Sequence, residues 1–148
     1  MPKESRGELD QIDREIVRLL EKDARLSFAA LGRKVHLSLS AVAERVRKLE
    51  DTGVVTGYHA AIDATKVGLG VQAILRIAAD KEHCQRVAAL AEQTPEVREG
   101  YQITGEDSYV LIIAVRSVEH LGQIVKNFGE LGEVSTSVIL GRVGPKAQ

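Results

Sequence analysis

The chain is poor in cysteine and has no long apolar run. Its 148 residues include a single cysteine, Cys84, which excludes a disulfide within the chain and favours a reducing compartment. The first ten residues lack the apolar core of a signal peptide. No run approaches the roughly 18 apolar residues of a membrane helix. The sequence therefore predicts a soluble, cytoplasmic protein whose core needs neither disulfides nor metals.

Patterns for metal binding, cofactor binding and catalysis are also missing from the sequence. The four histidines and Cys84 include no pair at the spacing of a metal site. Gly68 and Gly70 lack the third glycine of a dinucleotide-binding loop. Neither a phosphate-binding loop nor a local signature of a Ser, His and Asp triad is present. The sequence predicts no enzyme activity, no metal and no cofactor.

Basic charge is concentrated in one stretch of the first half. The whole chain is nearly neutral, with 20 Lys and Arg against 21 Asp and Glu. Residues 24–49 nevertheless carry six basic side chains and only one acidic side chain. Phosphate binding requires such a stretch, although a charge cluster alone is equally consistent with a solvated surface.

Apolar spacing predicts three helices in the first half. Steps of three and four residues predict a helix from Leu9 to about Lys22. A short second helix is expected after the N-cap Ser27, and a third between the N-cap Ser38 and the C-cap Gly53. The second and third helices are expected to bury Phe28, Leu31, Val35, Leu39, Val42, Val46 and Leu49. Three short helices, with a tight turn before a basic third helix, predict a helix-turn-helix unit.

A helix-turn-helix unit reads DNA by placing its third helix in the major groove. Small and polar residues early in that helix leave room for base contacts, and arginine can bond guanine through two hydrogen bonds. The other basic side chains are better placed to neutralise phosphates. For Glu44 and Arg45 the alternative is surface solubility or an intrahelical ion pair. The predicted DNA-binding residues are Ser38, Ser40, Ala41, Glu44, Arg45, Arg47, Lys48, Arg33 and Lys34.

The second half alternates strands and helices. After a β-rich extended segment over 54–62 and a connector over 63–70, the pattern predicts strands at 71–79, 97–104, 109–115 and 134–140 and helices at 82–93 and 118–131. Two βαβ halves joined by a hairpin form a ferredoxin-like α/β sandwich, with both helices on one face of the sheet. The other face is expected to carry Ile74, Ile112 and Val138 and to pack against a second copy.

A polar turn over residues 104–108 joins the two middle strands. Gly105 permits a positive φ and Asp107 can bond local backbone amides, so turning the chain is a sufficient role. At a subunit junction the same turn can also hold a small zwitterion. Backbone amides then bind its carboxylate, and Asp107 binds its ammonium group. Spacing alone leaves both roles open.

Several long motifs follow one another in a characteristic order. They are Leu9-Asp10-x-x-Asp13, Asp23-Ala24-Arg25, Leu37-Ser38-Leu39-Ser40-Ala41-Val42-x-x-Arg45-Val46-x-x-Leu49-Glu50-x-x-Gly53-Val54-Val55-x-Gly57-Tyr58, Val97-x-x-x-Tyr101-x-x-Thr104-Gly105-x-x-Ser108-Tyr109 and Val134-Ser135-Thr136-Ser137-Val138-Ile139-Leu140. Over residues 9–140 this order resembles the Lrp/AsnC family, the feast/famine regulators of bacteria and archaea.

The resemblance implies an α+β chain of three parts. These are a three-helix winged helix-turn-helix DNA-binding domain at 1–53, a β-linker at 54–70, and a ferredoxin-like, ACT-like (RAM-type) ligand-sensing and oligomerisation domain at 71–148. It implies homodimers that assemble into an octamer, which is a tetramer of dimers. It also implies that the protein binds double-stranded DNA, is associated with the nucleoid and has no membrane partner. It also implies an amino-acid effector held between dimers. The implied effector-binding residues are Tyr101, Thr104, Gly105, Glu106, Asp107, Ser108, Ser135, Thr136 and Ser137.

Two functions agree with these features. The first is a sequence-specific DNA-binding transcriptional regulator whose oligomeric state or DNA binding responds to an amino acid bound between dimers. The alternative is an architectural, DNA-wrapping protein without a small-molecule effector. A stand-alone ferredoxin-like enzyme is a weaker third reading, because the required catalytic groups are missing.

Overall fold

The computed structural model describes residues 9–144 of the chain. These residues divide into two compact units, with residues 9–61 in the first and residues 62–144 in the second. The first unit is helical, and the second contains a β-sheet with helices. No helix within the described range is long and apolar enough to cross a membrane.

Three helices form the first unit: α1 (Gln11–Lys22), α2 (Phe28–Val35) and α3 (Leu39–Asp51). Their core consists of six buried apolar side chains, Ile16, Leu20, Leu31, Val42, Val46 and Leu49. Two predictions for this core are wrong, because Phe28 is 41% exposed and Leu39 is 58% exposed. Each is the first residue of its helix. A helical side chain covers the turn that precedes its own Cα, so at this position it lies beyond the packed part of the helix.

Polar side chains set where the helices begin and end. Asp10 caps α1 in a capping box with Asp13, so α1 begins two residues later than predicted. Ser27 and Ser38 cap α2 and α3 as predicted, each accepting a bond from the backbone N–H three residues later. Gly53 follows the end of α3 with a left-handed φ of 71°, which confirms the predicted C-terminal cap.

The turn between α2 and α3 brings the backbone of Leu37 very close to Gly32. Its central residue His36 has a φ of 57°, and no other non-glycine residue in the range 9–144 has a positive φ. The Leu37 N–H donates to the Gly32 carbonyl oxygen at 3.0 Å. A Cβ on Gly32 would lie 2.6 Å from the Leu37 carbonyl oxygen. The two helices therefore meet at this distance only because residue 32 has no side chain.

The segment after α3 contains no paired strand. Residues 54–62 form neither a helix nor a strand, and a 3₁₀ helix at Ala64–Val67 follows them. The predicted wing is thus absent as paired strands from the described part of the first unit. β-forming residues make a strand only where a neighbouring strand bonds to them, and the described residues offer none here.

The second unit confirms the predicted ferredoxin-like order of elements. These are β1 (Val71–Ala78), α4 (Cys84–Gln93), β2 (Val97–Gln102), β3 (Tyr109–Val115), α5 (Val118–Gly129) and β4 (Glu133–Val138). Each begins and ends within two residues of the predicted position. The strands form one antiparallel sheet in the order β2-β3-β1-β4, so that the first and third strands lie in its centre.

The two faces of this sheet differ. The face packed on the helices holds the core, in which Ala73 is fully buried. On the other face, which we call the outer face, Ile74 and Ile112 are partners in the β1–β3 register and are half-buried. The prediction that Val138 shares this outer face is wrong, because Val138 is in register with Ala73 and lies on the helix-covered side. Strand residues alternate between faces, so the register decides the face.

Candidate functional site

The exposed face of α3 is polar. Ser40, Glu44 and Arg47 follow one another at steps of four and three residues, so they form a single stripe, which we call the outer stripe. All three residues are exposed, and the buried residues of α3 lie on the other side of the helix. A small serine at the leading end keeps this face narrow, as a helix that enters a major groove requires.

Four basic side chains lie in or beside the outer stripe. Arg47 and Lys48 are exposed on α3, and Arg33 and Lys34 are exposed in the last turn of α2. Within residues 9–144 none of the four takes part in an ion pair. Their charged groups are therefore open to phosphate oxygens, whose binding releases counterions.

Ser38 and Ala41, two of the small residues predicted to contact DNA, help to form the start of α3. Ser38 Oγ accepts the capping hydrogen bond from the Ala41 N–H at 3.2 Å and lies 3.2 Å from Ser40 Oγ. Ala41 is half-buried, one turn before Arg45. Ser38 thus fixes the start of α3, whereas Ser40 belongs to the outer stripe.

Arg45 lies on the flank of α3 and is bound to α1. Its Nη1 lies 2.7 Å from Asp10 Oδ2 and 2.7 Å from Asp13 Oδ1, and it donates to both carboxylates. The side chain of Arg45 is 31% exposed. This geometry argues against the predicted role of Arg45 as a base reader, because its guanidinium group already has two charged partners. The ion pairs of Arg45 are not intrahelical, because Asp13 lies in α1 and Asp10 is the N-cap of α1.

Hydrogen bonds shift the pKa of Asp10 and the pKa of Arg45. The backbone N–H of Asp13 and, next, the Arg45 side chain hold the pKa of Asp10 below its usual value. Hydrogen bonds to Asp10 and Asp13 raise the pKa of Arg45 above its usual value. Both shifts favour the charged forms of Asp10 and Arg45, which are the forms that an ion pair requires.

The polar turn between β2 and β3 is attached to the end of β1. Ser108 Oγ donates to the Ala79 carbonyl oxygen at 2.9 Å and accepts from the Ala79 N–H at 3.2 Å. The Ser108 N–H donates to the Ile77 carbonyl oxygen at 2.8 Å. Gly105 has a φ of 117°, as the turn prediction requires. The Ser108 hydroxyl, predicted to bind an effector, is therefore already used to hold the turn in place.

The remaining turn residues are open to solvent to different degrees. Thr104, Gly105 and Glu106 are exposed, and Asp107 is half-buried. Within the described residues Asp107 forms no ion pair. No other side chain in this range therefore neutralises its carboxylate. A carboxylate has to be unpaired in this way before it can bind an ammonium group.

The hydroxyl groups of β4 do not share one face. Ser135 and Ser137 are in register with Arg76 and Ile74 on the outer face, whereas Thr136 is in register with Leu75 on the helix-covered side. Within one chain, the three hydroxyl groups therefore do not lie on the same side of the sheet. Alternation along a strand separates any residue from both of its neighbours.

Tyr101 lies at the other edge of the outer face. Tyr101 of β2 is in register with Val110 of β3, and Val110 is in register with Arg76 of β1. Arg76 is in register with Ser135 of β4. Three strand spacings of about 4.8 Å each separate the two edge residues by roughly 14 Å. Tyr101 Oη donates to Glu99 Oε2 at 2.7 Å on its own edge. One chain therefore does not bring Tyr101 and Ser135 to the same small molecule.

Sequence reasoning missed Arg76, a half-buried cation of the outer face. Its Nη1 lies 3.4 Å from Ser137 Oγ, and within residues 9–144 it forms no ion pair. The alternating pattern of β1 could have indicated this position, because Arg76 lies two residues after Ile74 and therefore on the same face of the sheet. In the same described range, no group of three or more His, Cys, Asp or Glu is arranged to hold a metal ion.

The helix-turn-helix unit with an exposed basic face, followed by an α/β unit, defines a class of protein, the transcriptional regulators with a ligand-binding domain. Residues 9–50 match the AsnC-type helix-turn-helix domain, and residues 72–147 match the Lrp/AsnC ligand binding domain. The HTH-type transcriptional regulator LrpC of Bacillus subtilis is 34% identical over 138 residues, which cover 93% of this chain and 96% of LrpC. The chain belongs to the Lrp/AsnC family.

Solved structures agree with this assignment. The structure of Bacillus subtilis LrpC matches with a TM-score of 0.88 and 34% identity, over 94% of this chain and 99% of that one. A complex of the transcriptional regulator NMB0573 from Neisseria meningitidis with L-Met matches with a TM-score of 0.86 and 28% identity, over 93% and 94% of the two chains. The predicted family and fold class are confirmed. Because the family consists of DNA-binding regulators, the chain is a regulator and not an enzyme.

Proposed function

We propose that this chain is a sequence-specific DNA-binding transcriptional regulator whose DNA binding or assembly responds to an amino acid. The observation that carries the proposal is the outer stripe of α3, which is exposed, polar and bordered by cations that form no ion pair within residues 9–144. In the same chain lies a unit that matches the Lrp/AsnC ligand binding domain. We assign residues 1–53 to DNA binding, 54–70 to a linker and 71–148 to sensing and oligomerisation.

The outer stripe supplies the groove contacts in this proposal. Ser40, Glu44 and Arg47 face away from the core and can reach base edges when α3 lies in the major groove. Serine can donate or accept a hydrogen bond, the glutamate carboxylate accepts one, and arginine can donate two to guanine. The phosphate contacts come from the cations beside the stripe, Arg33, Lys34 and Lys48.

Selection of duplexes from a random library, followed by fluorescence anisotropy on the selected duplex and a scrambled one, tests this assignment. Arg47→Gln is expected to reduce the preference for the selected duplex. Arg18→Gln, which changes an exposed arginine of α1, is the matched control and is expected to leave both affinities unchanged. Failure to select any common sequence would contradict sequence-specific binding. An equal effect of the two substitutions would contradict the assignment to α3.

The proposed assembly begins with a homodimer formed through the outer sheet face. This face presents the half-buried Ile74 and Ile112 in its centre, and apolar surface of this kind is stabilised by packing against a second copy. We extend the assembly to four dimers on the basis of family membership. Light scattering is expected to give a mass near eight chains at high protein concentration, and a monomer would contradict the proposal.

The proposed effector is an amino acid. In its support, the C-terminal unit matches a ligand binding domain, and NMB0573, a protein of similar structure, was solved with L-Met. Asp107 in the turn supplies a carboxylate for the ammonium group of a zwitterion, and backbone amides of the same turn can bind its carboxylate. Since one chain spreads the predicted pocket over both sheet edges, we place the effector where two dimers meet.

Calorimetric titration with each of the twenty amino acids tests the effector proposal. At least one is expected to release or absorb heat and to change the mass of the assembly in light scattering. Absence of heat and of any mass change for all twenty would contradict the effector and favour the architectural, DNA-wrapping alternative. DNA selection would remain informative in that case, because it does not depend on a ligand.

A further inference from the structure

We propose that Arg45 is a positioning residue, which fixes the orientation of α3 on α1 through Asp10 and Asp13 and thereby sets how α3 meets DNA. The inference rests on the proposed function, because it concerns the same DNA-binding unit. It replaces base reading by Arg45 with a role that acts through neighbouring residues. We call the three side chains the α1–α3 clamp.

The geometry of the clamp joins two helix positions through a single nitrogen. Arg45 Nη1 donates to Asp10 Oδ2 and to Asp13 Oδ1, each at 2.7 Å. The two aspartates are already linked, because the Asp13 N–H donates to Asp10 Oδ1 at 2.7 Å. The start of α1 and the second turn of α3 are therefore connected by short, charge-assisted hydrogen bonds.

Burial distinguishes the clamp from an ordinary surface ion pair. Asp13 is only 8% exposed and is the one charged residue among the buried residues of the range 9–144. A buried carboxylate without a partner is strongly unfavourable, and within that range Arg45 is the only cation paired with it. By contrast, the pair of Arg18 and Glu15 in α1 is exposed, with 68% and 47% of the side chains accessible.

The α1–α3 clamp restricts the orientation of α3 on α1, which the apolar contacts between the two helices do not fix. Ile16 and Leu20 of α1 pack in the same core as Val42 and Val46 of α3. Apolar burial of this kind is non-directional and permits small rotations and translations of one helix against the other. Hydrogen bonds to two separate carboxylates define one rotation of α3, and with it the direction in which the outer stripe points.

Three hypotheses about the α1–α3 clamp predict different results for the double variant Asp10→Asn, Asp13→Asn. This double variant removes the two negative charges that bind Arg45 and leaves the positive charge of Arg45 unchanged. It also keeps the helix cap, because asparagine caps a helix as well as aspartate does. If Arg45 positions α3, preference for the selected duplex falls. If Arg45 reads a base, the preference stays or rises. If the aspartates act only as negative charges, affinity for the selected and the scrambled duplex rises equally.

The experiment measures the affinity ratio for the selected and scrambled duplexes by fluorescence anisotropy in the full chain. The double variant and Arg45→Gln are each expected to lower this ratio about tenfold, the range of a lost charge-assisted hydrogen bond. Combining all three substitutions is expected to lower it no further, because each removes the same link. Glu15→Gln combined with Arg18→Gln is the matched control and is expected to leave it unchanged. A ratio for the double variant at or above the wild-type value overturns the proposal.

Hydrogen exchange without DNA provides a second, independent readout. Amides of residues 39–51 are expected to exchange faster in the Asp10→Asn, Asp13→Asn variant, while those of residues 71–138 stay unchanged. If Arg45→Gln does not fold, Arg45→Lys keeps the charge with a different donor geometry and is expected to show part of the effect. Unchanged exchange in α3 overturns the proposal whatever the DNA result. If the wild-type chain itself prefers no duplex, the proposed function fails, and the exchange result still decides the role of Arg45.

Discussion

Replacing Gly32 with alanine tests the close contact between α2 and the turn before α3. The new Cβ would lie 2.6 Å from the Leu37 carbonyl oxygen, about 0.8 Å closer than the shortest ordinary contact of 3.4 Å. The oxygen belongs to the backbone, so no side-chain rotation relieves the clash. Overpacking of this kind costs about 1–3 kcal/mol, and the better helix propensity of alanine returns about 1 kcal/mol. With the clash at the upper end, we expect a net loss of about 2 kcal/mol.

Gly122 provides the matched control. It is an exposed glycine within α5, and a Cβ built there meets nothing within 4 Å. The same substitution is therefore expected to stabilise the chain by about 1 kcal/mol, because only helix propensity and the entropy of the unfolded chain change. The two variants thus have opposite signs, which a general effect of alanine on helices does not produce.

Urea unfolding followed by hydrogen exchange of individual peptides measures both effects. Peptide resolution assigns the change to the first or the second unit, since the two glycines lie in different units. Gly32→Ala is expected to lower protection in residues 28–51 and to weaken DNA binding at temperatures where the chain is folded. Wild-type stability of Gly32→Ala, or equal destabilisation by Gly122→Ala, would refute the reasoning from backbone distance.

Three further predictions concern charge, assembly and pH. Lys48→Gln is expected to weaken binding to all duplexes alike and to reduce the slope of log K against log salt by about 0.9 for each bound copy, whereas an unchanged slope would exclude a phosphate contact. Ile112→Asp is expected to reduce the mass measured by light scattering to that of a monomer, and an unaltered mass would place the dimer contact elsewhere. The pKa of Asp10 is lower in the folded chain than its ordinary value of 3.8, so its stabilising contribution is complete above that value and is lost as the pH falls through the folded pKa. The stability difference between the wild type and Asp10→Asn in urea unfolding is therefore expected to be constant above pH 3.8 and to shrink as the pH falls below that value, and a difference that stays constant below pH 3.8 would contradict this.

Local features were predictable because they depend on neighbours in the sequence. Ser27 and Ser38 cap their helices through bonds that reach three residues along the chain. Gly53 marks the end of α3 for a similar reason. The predicted limits of β3, at Tyr109 and Val115, coincide with the observed ones, since polar turn residues and a hydrophobic run define that strand.

Features that depend on distant residues were not predictable. The carboxylates that bind Arg45 lie 35 and 32 residues earlier, and no periodicity of α3 indicates them. The face on which Val138 lies depends on the register of β4 with β1, which the sequence of β4 does not specify. Likewise, the strand order places Tyr101 and Ser135 at opposite edges, although both occur in motifs of the same family. Helix starts and strands are local properties, but the site is assembled by packing and register.

The most direct test of the proposed function is the affinity of the full chain for its selected duplex with and without each amino acid. Allosteric coupling typically changes affinity by about 5–150-fold, so at least one amino acid is expected to shift the dissociation constant within this range. The same amino acid is expected to bind more tightly or more weakly by the same factor when the duplex is present. A dissociation constant that no amino acid changes would contradict the account of a ligand-responsive regulator.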